Sequence, residues 1–360
     1  MYNSKLAFNA EQTQVIIRKI GMIDAFKGKW DNIENKNDRY LKELRKIATV
    51  ESIGSSTRIE GAVLTDEEVR DLISNIKTAS FKNRDEQEVF GYYEALDIIL
   101  ENAASIQLSE AYIKQLHSIQ LKYSSKDKRH KGEYKNLPNT VVANYPDGSQ
   151  RTIFNTTPPH LTQKEMQEMI DWINMELNKQ VMHPLIVIAL FVYEFLSIHP
   201  FQDGNGRLSR LLTTLLLLKC GYEFAQYISF EHIIELRKSE YYSVLMLTQQ
   251  NRGTDKEIIG DWVLFFLDSL QTLTQRLEQK YAAYKEKGSY VNERQKRIIE
   301  YIEKKQPVKL GDIHLYYNDV SIHTLKKDLQ YLAEQKLIMK TGEKKGTVYM
   351  MIAAKDDIAL

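Results

Sequence analysis

The sequence contains very little cysteine and few prolines that would break helices. Its 360 residues include 1 cysteine, Cys220, and 7 prolines. A single thiol cannot form an intramolecular disulfide, so a disulfide-stabilised secreted fold is disfavoured. Because Cys220 ends an apolar helical stretch, we expect a buried thiol of the core rather than a reactive one.

The sequence also lacks a strong net charge and a long hydrophobic run. Its formal net charge is +1, which argues against a bulk electrostatic partner such as a nucleic-acid coat or an anionic membrane. The most apolar runs, 185–198 and 208–218, fall short of the roughly 20 residues that cross a bilayer. The N-terminal stretch has no apolar segment of the kind that signal peptides require. We therefore expect a soluble, cytoplasmic protein with no membrane partner.

Most of the chain shows apolar residues three and four positions apart, the period of amphipathic helices. Capping boxes, in which a hydroxyl and a glutamate three residues later satisfy free amides, predict several helix starts. These pairs are Thr65 with Glu68, Thr162 with Glu165, and Thr254 with Glu257. One region differs: two β-prone runs, 140–143 and 151–154, flank Pro146-Asp147-Gly148 and predict a hairpin.

The composition changes near residue 285. Residues 285–345 hold 14 Lys and Arg against 9 Asp and Glu. Three helical patterns followed by two β-prone pieces resemble a winged helix-turn-helix. The first helix has Ile298, Ile299 and Ile302 on one face, the second reads "LGDIHLYY", and the third places four residues on one face: Ile322, Leu325, Leu329 and Leu332.

The third helix would present its polar face to DNA in such a domain. That face is expected to carry Lys326 and Lys327, but also Asp328 and Glu334. Mixed charge makes the DNA signal weak, and a docking or dimerisation module is the alternative.

The densest group of polar residues is "SIHPFQDGNGRLSRLL", residues 197–212, between two apolar segments. Glycine-rich backbone at the start of a helix forms an anion site, because free amides and the helix dipole converge there. Arg207 and Arg210, three residues apart, can reach the same anion. Asp203 adds the hard oxygen that Mg²⁺ prefers, and His199 is a natural general base. Together they indicate phosphoryl or nucleotidyl transfer.

The segment "HPFQDGNGRLSR" resembles the signature of the Fic family, HPFx(D/E)GNGRxxR, at every defined position. "GEYK" at 132–135 and "PPH" at 158–160 are similar as well. Family members with the complete signature generally transfer AMP from ATP to a hydroxyl of a target protein. The resemblance implies a mainly α fold: a Fic-type helical bundle with a β-hairpin flap, followed by the winged helix.

The resemblance also implies roles for single residues. His199 would deprotonate the target Tyr, Ser or Thr hydroxyl, Phe201 would anchor the loop, and Asp203 would hold Mg²⁺. The residues that would bind the nucleotide phosphates are Gly204, Asn205, Gly206, Arg207 and Arg210. The flap would align the target's backbone by strand addition, through Thr140, Val141, Val142, Thr152 and Ile153.

Upstream, "STRIEG" at 56–61 resembles the Fic inhibitory motif, (S/T)xxxE(G/N). The resemblance implies that Ser56, Glu60 and Gly61 form this motif and that Glu60 pairs with Arg210, obstructing the γ-phosphate of ATP. We expect a helix that ends at Gly61, with Glu60 unfavourably placed in its last turn.

These patterns divide the chain into an N-terminal helical region (1–84) with the inhibitory motif, a Fic catalytic domain (85–285) and a winged-helix domain (286–360). The leading hypothesis is a self-inhibited protein adenylyltransferase that uses ATP and Mg²⁺. Removal of AMP or another nucleotidyl transfer is the alternative within the fold, and a nucleotide-sensing DNA-binding regulator is the alternative of another class. Self-modification and a homodimer also stay open.

Overall fold

The structure is a computed structural model, and it describes residues 2–34, 39–75, 83–124, 126, 129–144, 150–287, 291–318, 320–342 and 346–352. The chain divides into two compact units, Met1–Leu277 and Glu278–Leu360. The described part is mainly helical and contains two small antiparallel hairpins. This confirms the predicted fold class, whereas the boundary predicted after residue 84 stays a prediction.

The helices of the first unit, in chain order, are α1 (Ala10–Glu34), α2 (Arg39–Ile59), α3 (Asp66–Ser74), α4 (Arg84–Asn102), α5 (Glu110–Gln120), α6 (Pro159–Lys179), α7 (Pro184–Ile198), α8 (Asn205–Lys219), α9 (Phe230–Leu236), α10 (Lys238–Gln249) and α11 (Gly260–Lys287). Short 3-10 helices lie at Asn3–Leu6 and Glu223–Gln226. The strands are β1 (Thr140–Asn144) and β2 (Gln150–Asn155). Helix α11 begins in the first unit and ends in the second.

Helices α7 and α8 form the centre of the first unit. Nearly every residue of both is buried, as expected for helices that are apolar all round. Helix α2 packs on α4, α8 and α9, so the N-terminal helices share the core with the central ones. The loop 199–204 between α7 and α8 is therefore held at both ends by buried helices.

The predicted hairpin is present. Strands β1 and β2 pair antiparallel, with Val141 opposite Phe154 and Val142 opposite Thr152. Ile153 is the extra residue at the bulge that this register creates. The turn predicted at 146–148 lies outside the described residues.

Two of the three predicted capping boxes are wrong. Thr65 and Glu68 do form a capping box at the start of α3. Thr162, however, lies inside α6, which begins three residues earlier at a proline, and its hydroxyl donates to the Pro158 carbonyl. Thr254 precedes no helix, because α11 begins only at Gly260. Helix α6 begins at Pro159 and α11 begins at Gly260. The hydroxyl pattern does not reveal either start.

Cys220 differs slightly from the prediction of a buried thiol. It follows the last residue of α8 and is only partly buried. Burial nevertheless raises the pKa of this thiol to about 11, so the thiolate that would react is scarce at neutral pH.

The second unit contains α12 (Glu293–Lys305), α13 (Leu310–Tyr316), α14 (Ile322–Glu334) and the strands β3 (Ile338–Thr341) and β4 (Val348–Met351). This is the predicted order of three helices and a hairpin. Its core joins side chains from all five elements and from the segment between α12 and α13, namely Ile298, Ile302, Val308, Ile313, Leu325, Leu329, Leu332, Ile338 and Tyr349.

Helix α14 differs from the prediction at two positions. Ile322, expected on the apolar face, is 50% exposed, because it is the first residue of the helix and lies outside the packed turns. Asp328, expected on the exposed face, is 5% exposed. Its carboxylate accepts hydrogen bonds from Arg294 Nε at 2.6 Å and Gln295 Nε2 at 2.8 Å. The ion pair with α12 thus removes this negative charge from the surface of α14.

No helix within the described ranges is both long and apolar enough to cross a membrane.

Candidate active site

The loop between α7 and α8 has an unusual backbone at both ends. His199 ends α7 in the left-handed region (φ 52°, ψ 61°), and Gly204 precedes α8 with φ 79°. Asn205 closes the loop, since its side chain accepts from Phe201 N at 2.8 Å and donates to Phe201 O at 2.7 Å. The fully buried Phe201 ring stacks on His117, with 3.8 Å between ring centroids. The loop is therefore anchored in the core, as expected for Phe201.

The imidazole of His199 is arranged to accept a proton. Its Nδ1 lies 3.3 Å from the Leu196 carbonyl oxygen, and because a carbonyl only accepts, Nδ1 carries the hydrogen. Nε2 then has a free lone pair. Burial, followed by the positive charge of Lys135, lowers the pKa of His199 to about 4. The ring is thus neutral at pH 7, the form that a general base needs.

Helix α5 holds the glycine-rich part of the loop. Gly132 N donates to His117 Nδ1 at 2.9 Å, so His117 Nε2 carries the hydrogen and donates to the Asp203 carbonyl at 2.9 Å. One turn later, Gln120 Nε2 donates to the Gly204 carbonyl at 3.1 Å. A side chain at Gly204 would meet Gln120 Nε2 at 2.5 Å, so only glycine allows this close approach.

Asp203 belongs to a closed ring of four charges. Arg84 lies 3.0 Å and Arg207 lies 3.4 Å from its carboxylate oxygens, and both arginines lie 2.7 Å from Glu88. Burial opposes ionisation of Asp203, but Arg207, the Gly204 amide and Arg84 outweigh it and lower its pKa. The carboxylate is therefore charged at neutral pH and held in place.

The Asp203 carboxylate suits a divalent cation that binds together with the phosphates of a substrate. Over the described residues, no group of three or more His, Cys, Asp or Glu side chains could hold a metal ion. Asp203 is a single carboxylate with 32% of its side chain exposed, next to the start of α8, where free amides favour an anion. Mg²⁺ commonly binds one or two carboxylates, several waters and substrate phosphates. The residues fit such an ion and do not fit a permanently bound structural metal.

The inhibitory-motif residues meet the second arginine of the signature. Arg210 is 3% exposed, and its guanidinium donates to Ser56 Oγ, Ser56 O and Glu60 Oε1 at 2.8, 2.9 and 2.8 Å. Burial opposes the charged form of Glu60, yet Arg210 and Arg207 more than compensate, and its pKa is lowered. The Glu60 carboxylate also lies against Gly206, where an added Cβ would be 2.2 Å from Oε1.

The backbone around Glu60 has the predicted C-terminal cap. Helix α2 ends at Ile59, and Gly61 follows with φ 109°. The Ala62 amide donates to the Thr57 carbonyl at 3.1 Å, the six-to-one bond of a Schellman motif. Glu60 therefore lies just beyond the helix, and its carboxylate is compensated by Arg210.

Arg58 fixes this helix end from the opposite side. Nε and Nη2 donate to the two carboxylate oxygens of Glu235 at 2.6 and 3.0 Å. Nη1 donates to Leu64 O and Asp66 Oδ1 at 3.0 and 2.9 Å, and Nη2 also reaches Ser55 Oγ at 3.3 Å. All five N–H groups of the guanidinium are used. Arg58 thus links the end of α2, next to Glu60, to α9 and to the start of α3.

The structure brings the signature residues and the inhibitory-motif residues together. Arg207 and Arg210 differ in their partners: Arg207 contacts Glu88 and Asp203, whereas Arg210 contacts Ser56 and Glu60. Sequence reasoning assigned no role to several residues that support the site, namely Arg58, Arg84, Glu88, His117, Gln120, Lys135 and Asn139. "GEYK" contains Lys135, but nothing in the pattern distinguishes the others from ordinary helix or loop residues.

Comparison with known proteins agrees with this geometry. Residues 107–217 match the Fic/DOC family, and residues 294–342 match the DeoR-like helix-turn-helix domain. The chain carries a Fic/DOC domain. The curated relative named protein adenylyltransferase Fic from Drosophila willistoni is 28% identical over 255 residues, or 69% of this chain. That alignment covers 47% of the Drosophila protein, so the chain spans about half the length of this relative.

Solved structures share the fold of this chain. A Fic family protein from Desulfovibrio desulfuricans superposes with a TM-score of 0.64 at 21% identity, covering 97% of this chain and 98% of that one. A Fic domain containing signaling protein from Bacteroides thetaiotaomicron superposes with a TM-score of 0.59 at 25% identity, covering 75% of this chain and 100% of that one.

Proposed function

We propose that the protein is a protein adenylyltransferase that transfers AMP from ATP to a hydroxyl group of a target protein. The observation that carries this proposal is the neutral His199, whose free Nε2 stands next to a glycine-rich loop at the start of α8. Adenylyltransferase is also the name of the curated Fic relatives.

The nucleotide would bind through its phosphates. The amides of Gly204, Asn205 and Gly206 lie at the N-terminus of α8, where free N–H groups and the helix dipole favour an anion. Arg207 and Arg210 would bind the β- and γ-phosphates. Asp203 would hold Mg²⁺, which neutralises phosphate charge when bound.

His199 would act as the general base. Nε2 takes the proton of the target's hydroxyl while the hydroxyl oxygen forms a bond to the α-phosphorus. The bond from the α-phosphorus to the oxygen that bridges to the β-phosphate breaks, and pyrophosphate leaves. The backbone amides of Gly204, Asn205 and Gly206 would stabilise the charge that develops on the α-phosphate oxygens. The hairpin, with Thr140, Val141, Val142, Thr152 and Ile153, would align the target by strand addition.

The same site is proposed to be self-inhibited by Glu60. Its carboxylate pairs with Arg210 at 2.8 Å and lies against Gly206, so a carboxylate already occupies donors that a phosphate needs. The buried Arg210 cannot form an ion pair with the Glu60 carboxylate and with a γ-phosphate at the same time. Glu60 therefore holds the site in a form that binds ATP unproductively. Self-modification, a homodimer and a cytoplasmic location stay predictions from the sequence.

Removing the Glu60 carboxylate is expected to increase AMP transfer. Glu60→Gly should raise AMP incorporation by about ten- to a hundredfold. This factor lies within the range by which one site of a protein typically changes another. Intact-mass measurement after incubation with ATP and Mg²⁺ reads out the product, with the chain itself and added cell lysate as acceptors.

The matched control is Glu60→Gly combined with His199→Ala, which should incorporate no AMP. A phosphate-sized mass increase would overturn the proposed reaction. Equal incorporation by the wild type and Glu60→Gly would overturn self-inhibition. Loss of AMP from an adenylylated acceptor, without any gain, would favour the alternative reaction of AMP removal.

Arg58→Ala is expected to release part of the inhibition, because the helix end that carries Glu60 loses its attachment to α9. AMP incorporation should rise roughly three- to tenfold, below the level of Glu60→Gly. In the Glu60→Gly background the same substitution should change the rate by less than about twofold, since the two act through one contact.

Arg45→Ala is the matched control, because Arg45 lies on the same helix and pairs with the exposed Glu101. It should leave the rate unchanged. A fall in rate for Arg58→Ala in both backgrounds would instead indicate ordinary destabilisation.

DNA binding by the second unit is a second candidate function. It is favoured by the burial of Asp328, which leaves Glu334 as the acidic residue exposed along α14 beside His323, Lys326, Lys327 and Gln330. This surface is more basic than the sequence pattern indicated. The match of residues 294–342 to a DeoR-like helix-turn-helix domain also favours DNA binding.

Replacing Lys326 and Lys327 by Glu should weaken binding to random-sequence duplex DNA and reduce the salt dependence of that binding. The slope of log affinity against log salt concentration should fall by about two. Lys164→Glu, an exposed site on α6, should change neither quantity. Absence of duplex binding by the wild-type chain at low salt would favour a docking module.

A further inference from the structure

The segment 135–139 donates hydrogen bonds to the backbone carbonyls of four consecutive residues, from the last residue of α7 to the third residue of the signature. Lys135 Nζ donates to the Ile198 carbonyl at 2.9 Å, and the Lys135 amide donates to the Pro200 carbonyl at 2.8 Å. Asn139 Nδ2 donates to the Phe201 carbonyl at 2.8 Å and lies 3.4 Å from the His199 carbonyl. Each carbonyl from 198 to 201 thus has a donor from this one segment.

Such support is needed at this point of the chain. Helix α7 ends at Ile198, and the last carbonyls of a helix have no partner within it. His199 then adopts a left-handed backbone, which is strained for a residue other than glycine. A strained residue persists only where its surroundings fix it. The Lys135 ammonium supplies the missing donor and places a positive charge at the negative end of the helix dipole.

The same two residues hold the base of the hairpin. Lys135 Nζ donates to Asn139 Oδ1 and Thr156 Oγ1, each at 2.8 Å. The Thr156 hydroxyl lies 2.8 Å from the Asn139 carbonyl, to which it can donate. Asn139 directly precedes β1 and Thr156 directly follows β2. All three ammonium hydrogens of Lys135 are therefore used, one on α7 and two at the two ends of the hairpin.

The chemistry of Lys135 argues against a purely structural residue. It is 4% exposed, and within the described part of the chain no carboxylate forms an ion pair with it. Burial, partly offset by Glu165, lowers its pKa to about 8. A buried cation without an ion-pair partner costs stability, and groups of this kind concentrate at functional sites.

We propose that Lys135, Asn139 and Thr156 form a clasp, a set of positioning residues that fixes the hairpin and His199 in one geometry. This inference rests on the proposed function, in which the hairpin aligns the target and His199 removes the proton from its hydroxyl. The clasp keeps the acceptor oxygen and the base in register, and the charge of Lys135 adds to burial in favouring the neutral form of His199 that accepts that proton.

The clasp can be tested with Lys135→Met, Asn139→Ala and Thr156→Val, each made in the Glu60→Gly chain. Lys135→Met should reduce AMP incorporation by about a hundredfold, the loss associated with a displacement of about 1 Å at a reacting group. Affinity for ATP, measured by calorimetry, should change by less than about threefold, because the phosphate-binding residues lie outside the clasp. Lys164→Met, at an exposed lysine, is the matched control and should change neither value.

Two further measurements separate the clasp from general destabilisation. Hydrogen exchange of the backbone amides in β1 and β2 should speed up by about tenfold or more in all three clasp variants, and much less in α7 and α8. NMR titration of His199, assigned with His199→Ala, should give a pKa near the parent's value in Thr156→Val and a higher pKa in Lys135→Met. Of the charges facing His199, namely Lys135, Glu60 and Asp203, Glu60 is already absent from the Glu60→Gly parent, and Lys135→Met alters only the first.

If Lys135→Met folds with unchanged hairpin exchange and an unchanged His199 pKa, the clasp is wrong. If Lys135→Met does not fold, Thr156→Val and Asn139→Ala decide by hairpin exchange and by the AMP incorporation rate. Absence of AMP incorporation in the Glu60→Gly parent would count against the proposed function, whereas the exchange and titration measurements would still test the clasp.

Discussion

The Arg210 guanidinium needs an anion, and the rest of the site is organised around which anion it receives. It is 3% exposed on a buried helix, where an uncompensated charge is costly. In this structure Glu60 supplies the carboxylate, and Ser56 accepts two further hydrogen bonds. Glu60 reaches that position because α2 ends at Ile59 and Arg58 fixes the helix end to α9. The buried cation thus links the N-terminal helices to the start of α8.

The second constraint is the rigidity of the loop that carries His199. Two buried helices fix its ends, α5 holds the carbonyls of Asp203 and Gly204, and the segment 135–139 holds those of residues 198–201. Few parts of this loop are free to rearrange. The proposed inhibition therefore depends on the side chains of the site and on the segment that carries Glu60, rather than on the backbone of this loop.

The sequence predicts the fold and the centre of the site for a physical reason: both depend on local patterns. Helical periodicity, the "HPFQDGNGRLSR" stretch and the cap at Gly61 are properties of neighbouring residues. The failures at the site and at Asp328 are tertiary. Asp328 was assigned to the surface because helical spacing cannot reveal its partner Arg294, 34 residues away. Likewise, His117 and Lys135 contact the loop from 86 and 63 residues away, and no short pattern marks a residue whose role is to hold a distant carbonyl.

In the proposed function, Arg210 serves either Glu60 or the nucleotide's outer phosphates. Calorimetric affinities for ATP and AMP, measured on the wild type and on Glu60→Gly with Mg²⁺ present, test it most directly. AMP has no phosphate for Arg210, so its affinity should be similar in both proteins. The affinity for ATP should rise by about tenfold when Glu60 is removed, since a buried arginine regains a charged partner. An equal ratio of ATP to AMP affinity in the two proteins would contradict the account.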